Sequence, residues 1–428
     1  MASPDPATGS SSNGAIARQS AFSSLRHRDF RLLWVGQIVS VTGSQMQMVA
    51  INWHIYLLTH SALALGMVGF FRAGPIILCS LLGGVVADVI DRRRLMMVTQ
   101  SVMLTCSAIL ALITFGGLQR VWPIFLLTSI ASAAWAFDTP ARQSLMPALV
   151  PAKDFPNAVS LSMLMFQIGM IVGPTLAGFL LASRGPGLVY AMNAASFIAV
   201  IGGLALMRFR GRPGEDESAP TRITIEAFLE GLRFVWRTPI IVQTMTLDFV
   251  ATFFASANQL LPIFATDILK VGAHGFGFLG AAQAAGAVIT GLVMARLGTV
   301  KNQGRVVIGS VAIFGAATIA FGVSRIFWFS LVMLAVAGAA DTVSTILRQT
   351  IRQLSTPNNL RGRMTSINMV FFMGGPQLGE VEAGTVAALI GAPLSVVTGG
   401  VGCLVAAAFA FVAAKNLRRY ESSRQFTP

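Results

Sequence analysis

Apolar residues along this chain fall in long, nearly uncharged blocks separated by short polar breaks. Between positions 30 and 416 there are about twelve such blocks of roughly 20 to 26 residues, each long enough to cross the hydrocarbon core of a bilayer as a helix. With no water there to satisfy backbone N–H and C=O groups, a helix is the form such a block must take. Spans are expected near 32–57, 63–87, 95–115, 122–141, 157–182 and 187–207, then near 240–264, 275–297, 305–323, 326–347, 364–389 and 393–414. The pattern therefore predicts an all-α membrane protein of about 12 transmembrane helices.

Composition agrees: 54% of the 428 residues are apolar and 11% charged, against about a quarter charged in an ordinary soluble domain. A net charge of +14 would suggest a nucleic-acid partner in a soluble protein, but its placement points elsewhere. Arg18, Arg26, Arg28 and Arg31 precede the first block, and Arg92, Arg93 and Arg94 follow the second. Later alternate loops hold Arg296, Lys301 and Arg305, then Arg348, Arg352, Arg361 and Arg363, while the opposite loops carry only Arg120, Arg184, Lys270 and Arg325. Positive loops resist translocation, so a multi-pass protein of the cytoplasmic (inner) membrane with both termini cytoplasmic is expected. The lipid bilayer is its partner, and no nucleic acid is.

Residues 1–29 open with a small, polar, Pro/Gly/Ser-rich stretch that reads as a disordered cytoplasmic tail without a cleavable signal. Residues 30–207 and 239–416 form two six-span halves, and 417–428 a second tail. The joining segment 208–238 contains GRPGEDESAPT, a linker by composition, then an amphipathic stretch over 223–236 suited to the membrane interface. Cys79, Cys106 and Cys403 fall inside spans with no paired spacing, so packing roles are expected rather than a disulfide framework or a metal site.

The halves are related. An offset of 206 positions places Arg142, Gln143, Pro151, Ser160, Met163, Phe166, Gly169, Gly173, Ala177 and Gly178 on identical residues from Arg348 to Gly384, ten identities in 37 positions. Two pseudo-symmetric six-helix bundles in the same orientation are what a transporter with two rocking halves and a central site requires.

The loop after the second span reads Gly84, Val85, Val86, Ala87, Asp88, Val89, Ile90, Asp91, Arg92, Arg93, Arg94. It resembles the GxxxDxxDRRR signature of the major facilitator superfamily at every fixed position. The resemblance implies the major facilitator fold, and it implies that Asp88 and Arg92, with Asp138 at the end of the fourth span, form a charge relay that latches the bundles in the outward-facing state. In physical terms Gly84 permits close helix approach, and the arginines can reach lipid phosphates or helix C-termini. The second-half counterpart near Gly291 to Arg305 lacks the acids, so a one-sided latch is expected.

Gly169, Gly173, Pro174, Ala177 and Gly178 resemble the glycine–proline motif of the superfamily's proton-driven exporters, with Ser160 and Ala177 where that motif has glycines. A helix-packing role for the same small residues stands beside an antiport role. FDTPARQSLMP, LRQTIRQLSTPNNLRGRM and GGPQLGEVEAG further resemble the branch of enterobactin-exporter-like permeases and bacterial multidrug efflux proteins.

Charge inside a bilayer costs about 2.5 to 3.5 kcal/mol even on the lenient insertion scale, so what remains there is a functional candidate. Arg72, Asp248, Asp341, Glu380 and Glu382 are such residues. The resemblance implies that the second and eleventh spans face each other across the bundles, and Arg72 and Glu380 or Glu382 share an estimated depth, so a cross-bundle pair closing the outer gate and loosened by protonation is expected; snorkelling of Arg72 beside Pro75 is the alternative. Asp248, among Thr244, Thr246 and Phe249, is a second proton candidate or a helix–helix hydrogen-bonding group. His54 reads as an interface residue before a proton relay. Gln37, Gln45, Gln47 and Asn52 make the first span amide-rich and are expected to face a central cavity and bind polar parts of a cargo.

No nucleophile–base pair, acid pair or phosphate-binding loop stands out, so neither an enzyme nor an ATP-driven pump is indicated, and no cofactor is called for. The expected function is proton-coupled export of a small amphipathic molecule by a monomer working through alternating access. An importer, a facilitator, or a membrane sensor or scaffold derived from a transporter are the rival classes.

Overall fold

The computed structural model describes residues 22–209, 225–254, 257–297, 300–357 and 360–421, and every described element is helical. Residues 1–21 and 422–428 of the expected tails and residues 210–224 of the expected linker lie outside the described residues.

Six long helices form the first half: α1 (Arg28–Thr59), α2 (Ala62–Val89), α3 (Arg92–Phe115), α4 (Val121–Leu149), α5 (Phe155–Arg184) and α6 (Pro186–Leu206). After the amphipathic α7 (Ile225–Arg237), the seventh span begins as α8 (Pro239–Phe254). It then continues through a 3-10 turn at Ala257–Leu260, the single turn α9 (Leu261–Ile263) and a π turn at Phe264–Ile268. The rest are α10 (Gly272–Leu297), α11 (Gln303–Val323), α12 (Phe327–Leu354), α13 (Arg361–Ile390), α14 (Ala392–Ala413) and the terminal turn α15 (Lys415–Arg418). Ten of the twelve spans are long and apolar enough to cross a membrane. The other two, α1 and α13, are as long but carry the amides of the first span and Arg361, Arg363, Glu380 and Glu382.

Some elements depart from the expected boundaries. The fourth span, expected to stop near 141, runs as α4 through Pro140 and Pro147 to Leu149. Ala141, Leu145 and Leu149 are buried against Phe30, Leu33, Leu95 and Leu161, and that packing outweighs the local cost of a helical proline. The seventh span, expected to stop near 264, ends in a 3-10 turn and a π turn that carry it to Ile268.

The neighbours repeat between halves. In the first, α1 packs on α5 and α6, α3 on α4 and α6, and α2 on α4; in the second, α8 packs on α13 and α14, α11 on α12 and α14, and α10 on α12. Even the turns match: Gly185 (φ 74) and Gly391 (φ 89) lie 206 positions apart, and each takes the left-handed conformation that only glycine adopts without strain, letting the next helix start beside the last. The bundles meet through two related contacts, α2 on α13 and α5 on α10.

Cores show where the bundles join. At the end where α1 begins and α14 finishes, here the terminal end, each bundle has its own: Phe30, Leu95, Leu145 and Leu204 in the first, Leu247, Val307, Ile351 and Leu417 in the second. At the opposite end one cluster spans both, including Ile55, Tyr56, Leu65, Leu110, Leu260, Phe264, Phe276, Phe321 and Ala383. The amphipathic α7 packs Val235 on Ile241, Met245, Met364 and Ile367 at the terminal end.

Candidate functional site

The joined end is held by small residues and a few polar contacts. Gly178 of α5 lies against Gly277 of α10, and Gly66 of α2 against Gly384 of α13, so a Cβ at any of the four would strike the opposing backbone. Such close approach replaces the hydrophobic driving force that helices lack in lipid. Trp53 stacks on Phe276 with ring centroids 5.2 Å apart. Asn52 Nδ2 donates to Gln259 Oε1 at 2.9 Å, Gln259 Nε2 donates to the Leu65 carbonyl at 3.1 Å, and the Tyr56 hydroxyl donates to Asp267. All these contacts cross between the bundles or tie the seventh span to α1 and α2.

Arg72 and Glu380 lie at the same place. Arg72 Nη1 is 3.9 Å from Glu380 Oε1, with side chains 24% and 12% exposed, and Gly69 leaves the space that the glutamate occupies. Glu380 Oε2 is buried without a hydrogen-bond partner, so the pair is loose and one carboxylate oxygen is uncompensated. Glu382, two residues on, is half-buried and joins no ion pair among the described residues.

A tighter charge cluster sits in the second bundle toward the terminal end. Asp248 of α8 forms an ion pair with Arg348, its Oδ1 lying 2.7 Å from Nη2, and its Oδ2 accepts from Arg352 Nη1 at 3.3 Å. Asp341 of α12 is 3.9 Å from the same Arg348 nitrogen, and Thr345 takes a further bond from it at 3.0 Å. Arg348 is only 1% exposed and Asp341 is 40% exposed. Sequence reasoning took Arg348 and Arg352 as topological loop charges, whereas α12 continues to Leu354 and buries both. Two signals pointed to them: an intramembrane Asp248 needs a cationic partner, and the repeat sets Arg348 on Arg142.

The first bundle's counterpart is built differently. Asp138 of α4 is 2% exposed and its Oδ1 accepts from Thr99 Oγ1 and Gln100 Nε2 of α3, both at 3.0 Å. Arg142, one turn on, donates from Nη1 to Gln37 Oε1 of α1 at 3.0 Å. Arg92 donates to the Ser144 carbonyl at 3.2 Å and forms no ion pair with Asp138; the third member of the expected relay, Asp88, has its side chain outside the described residues. Asp91 caps α3 by accepting from the Arg94 amide at 3.1 Å, and Arg93 reaches the Ala205 and Phe209 carbonyls at the end of α6. Gly84 and Asp88 lie on α2, with side chains outside the described residues.

The remaining candidates divide by direction. Gly169 and Gly173 of α5 face Val41, Thr42 and Gln45 of α1 inside the first bundle, while Pro174 and Gly178 face α10 across the interface. The four amides do not share one cavity: Gln47 accepts from Asn193 Nδ2 of α6 at 2.9 Å, Gln45 lies against Gly173, Asn52 crosses to Gln259 and Gln37 holds Arg142. A span packed on both sides must satisfy its amides wherever partners lie. His54 is 2% exposed between Tyr190 and Gln119, a packing position. Outside the membrane, Asp154 accepts from His27 at 2.9 Å, and this bond holds its carboxyl below the usual carboxylate range.

Two repeated bundles, joined at one end and separate at the other around buried charge, define a transporter of the major facilitator type. Solved structures share this fold: a POT family transporter in complex with a thioalcohol-conjugated peptide (TM-score 0.73, 10% identity, 93% of this chain and 100% of that chain) and a bacterial homologue of the iron transporter ferroportin in an inward-facing state (0.67, 14%, 92% and 99%). A bacterial homolog of the human lysosomal transporter Spinster, inward-facing and unoccupied, has a TM-score of 0.69 at 15% identity, covering 92% of this chain and 99% of that chain. The chain belongs to the transmembrane secretion effector family, which it matches over residues 19–427. It is similar to Enterobactin exporter EntS of Shigella boydii serotype 18 and of Salmonella typhi, each 25% identical over 406 residues, 93% of this chain and 94% or 95% of the relative. It is a multi-pass membrane transporter of small molecules and not an enzyme.

Proposed function

We propose that the protein is a proton-coupled exporter of small amphipathic molecules, working as a monomer by alternating access across the inner membrane with both termini cytoplasmic. The observation that carries this reading is the single cross-bundle core at the end opposite the termini, set against separate cores at the terminal end. With the loop arginines inside, that arrangement is closed to the outside and parted toward the cytoplasm. The exporter relatives support the outward direction.

In this reading the Arg72–Glu380 pair is the outer latch. Ionised, the glutamate attracts Arg72 across the interface; a proton arriving from outside removes that attraction, and the Gly66–Gly384 and Gly178–Gly277 contacts part as the bundles rock. The Asp248–Arg348–Arg352 cluster stays within its own bundle and keeps that bundle rigid while it moves.

Cellular accumulation of a fluorescent amphiphile, compared with and without the protein and again with a protonophore, tests the proposal. Lower accumulation that the protonophore restores is the expected result, and Glu380→Gln removes the proton dependence. Raised uptake in cells carrying the protein, or unaltered proton dependence in Glu380→Gln, contradicts it.

A further inference from the structure

The repeat pairs Arg142 with Arg348, yet the two cations are handled in opposite ways. Arg348 is buried against Asp248 at 2.7 Å. Arg142 is half-buried, its bond to Gln37 is to a neutral amide, and no carboxylate among the described residues comes within ion-pair distance of it. Asp138, one turn away, directs Oδ1 to Thr99 and Gln100 of α3. The position equivalent to Asp248 is Thr42, whose hydroxyl donates to the Ile38 carbonyl of its own helix.

Gln37 adds the second observation. It is 3% exposed, its Oε1 is taken by Arg142, and its Nε2 is buried with no acceptor. A buried N–H without an acceptor costs about 1 to 3 kcal/mol, and an uncompensated guanidinium facing lipid is penalised further. Arg142 keeps an accessible part and stands at the terminal end, where the two bundles have separate cores. A cation without an ion-pair partner among the described residues, with Asp138 one turn along the same helix, and an unsatisfied N–H donor sit side by side there.

We infer that Arg142 and Gln37 seat an anionic, acceptor-rich group of the transported molecule, a carboxylate or sulfonate carried on an apolar body. The guanidinium fork can donate two parallel bonds to such a group, and Gln37 Nε2 supplies a third. The inference rests on the transporter reading and narrows its cargo to amphipathic anions.

The test uses two fluorescent probes with one skeleton, anilinonaphthalene sulfonate and the neutral N-phenylnaphthylamine, titrated onto the purified full-length protein in detergent. Wild type is expected to bind the sulfonate at least about tenfold more tightly. Arg142→Gln should lose about 10- to 100-fold of that affinity, the range of a charge-assisted hydrogen bond, with N-phenylnaphthylamine binding within about twofold of wild type. Arg142→Lys, a point charge without the fork, should retain part of the preference. Gln37→Leu should weaken the sulfonate selectively, and it carries the test if Arg142→Gln does not fold. No sulfonate preference in wild type, unchanged sulfonate binding in both Arg142→Gln and Gln37→Leu, or equal loss of both probes would overturn the inference. The same probes in proteoliposomes under a proton gradient separate the two claims: selective binding through Arg142 without movement of either probe overturns the transport reading and leaves the anion seat standing.

Discussion

The two bundles descend from one pattern and differ most where their repeated arginines lie. In the second, Arg348 and Arg352 close on Asp248 within one buried cluster; in the first, Arg142 meets an amide and no carboxylate at ion-pair distance among the described residues, and the nearby acid, Asp138, is turned to hydroxyl and amide donors. A charge neutralised inside its own bundle serves rigidity, because removing one partner strands the other in low dielectric. A charge without an internal ion pair, at the end where the bundles have separate cores, is available to a molecule that enters between them. In the proposal made above, one repeat serves the scaffold and the other the ligand.

The largest effect expected from this contrast is on stability. Arg348→Met should destabilise the purified protein by about 3 to 5 kcal/mol, as for other broken buried pairs, whereas Arg142→Met should cost under about 1 kcal/mol, in the range of an exposed pair. Thermal unfolding in detergent checks both, and equal losses would erase the distinction. Next in size is Thr42→Asp, which places an acid where the second bundle has Asp248. It should draw Arg142 into an internal pair and lower sulfonate binding about tenfold, at the weaker end of a charge-assisted bond; unchanged binding would show that Thr42 and Arg142 do not meet.

The smallest effect concerns the first bundle's anchor outside the membrane. The 3-10 turn Ser23–Arg26 is tied to the start of α5 by Ser24 on Asn157 and Asp154 and by His27 on Asp154. The Asp154 carboxyl is held below its ordinary value, so its contribution is complete above about pH 4 and is lost as the pH falls through the lowered folded value. Protection of the amides in residues 23–27, corrected for the intrinsic pH dependence of exchange, should fall under those acidic conditions. Protection unchanged as the pH falls through that range would remove Asp154 from the account.

Much of this architecture was legible in the sequence because the bilayer imposes length, apolarity and loop charge on each span. The repeat offset marked both bundles and paired Arg142 with Arg348 before any contact was visible. Arg348 and Arg352 were nevertheless read as loop charges, since an arginine at a span end satisfies the same charge rule whether it faces water or an aspartate; only the extension of α12 to Leu354 and its packing on α8 decide the matter. Likewise the amides of α1 are alike in sequence, and their sorting among α4, α6 and the seventh span is set by tertiary partners. The extra turns of α4 beyond Pro140 were hidden because the local cost of proline is readable and the compensating core is not.

The central claim, that the end opposite the termini is a gate held by the Arg72–Glu380 pair, is tested most directly by the distance across it. Spin labels at Ser61→Cys, between α1 and α2, and Lys270→Cys, just before α10, in a background lacking the three native cysteines, report that distance by double electron–electron resonance. The account predicts a short distance with Glu380 intact at neutral pH and a longer population in Glu380→Gln. A single unaltered distance in both proteins would contradict it.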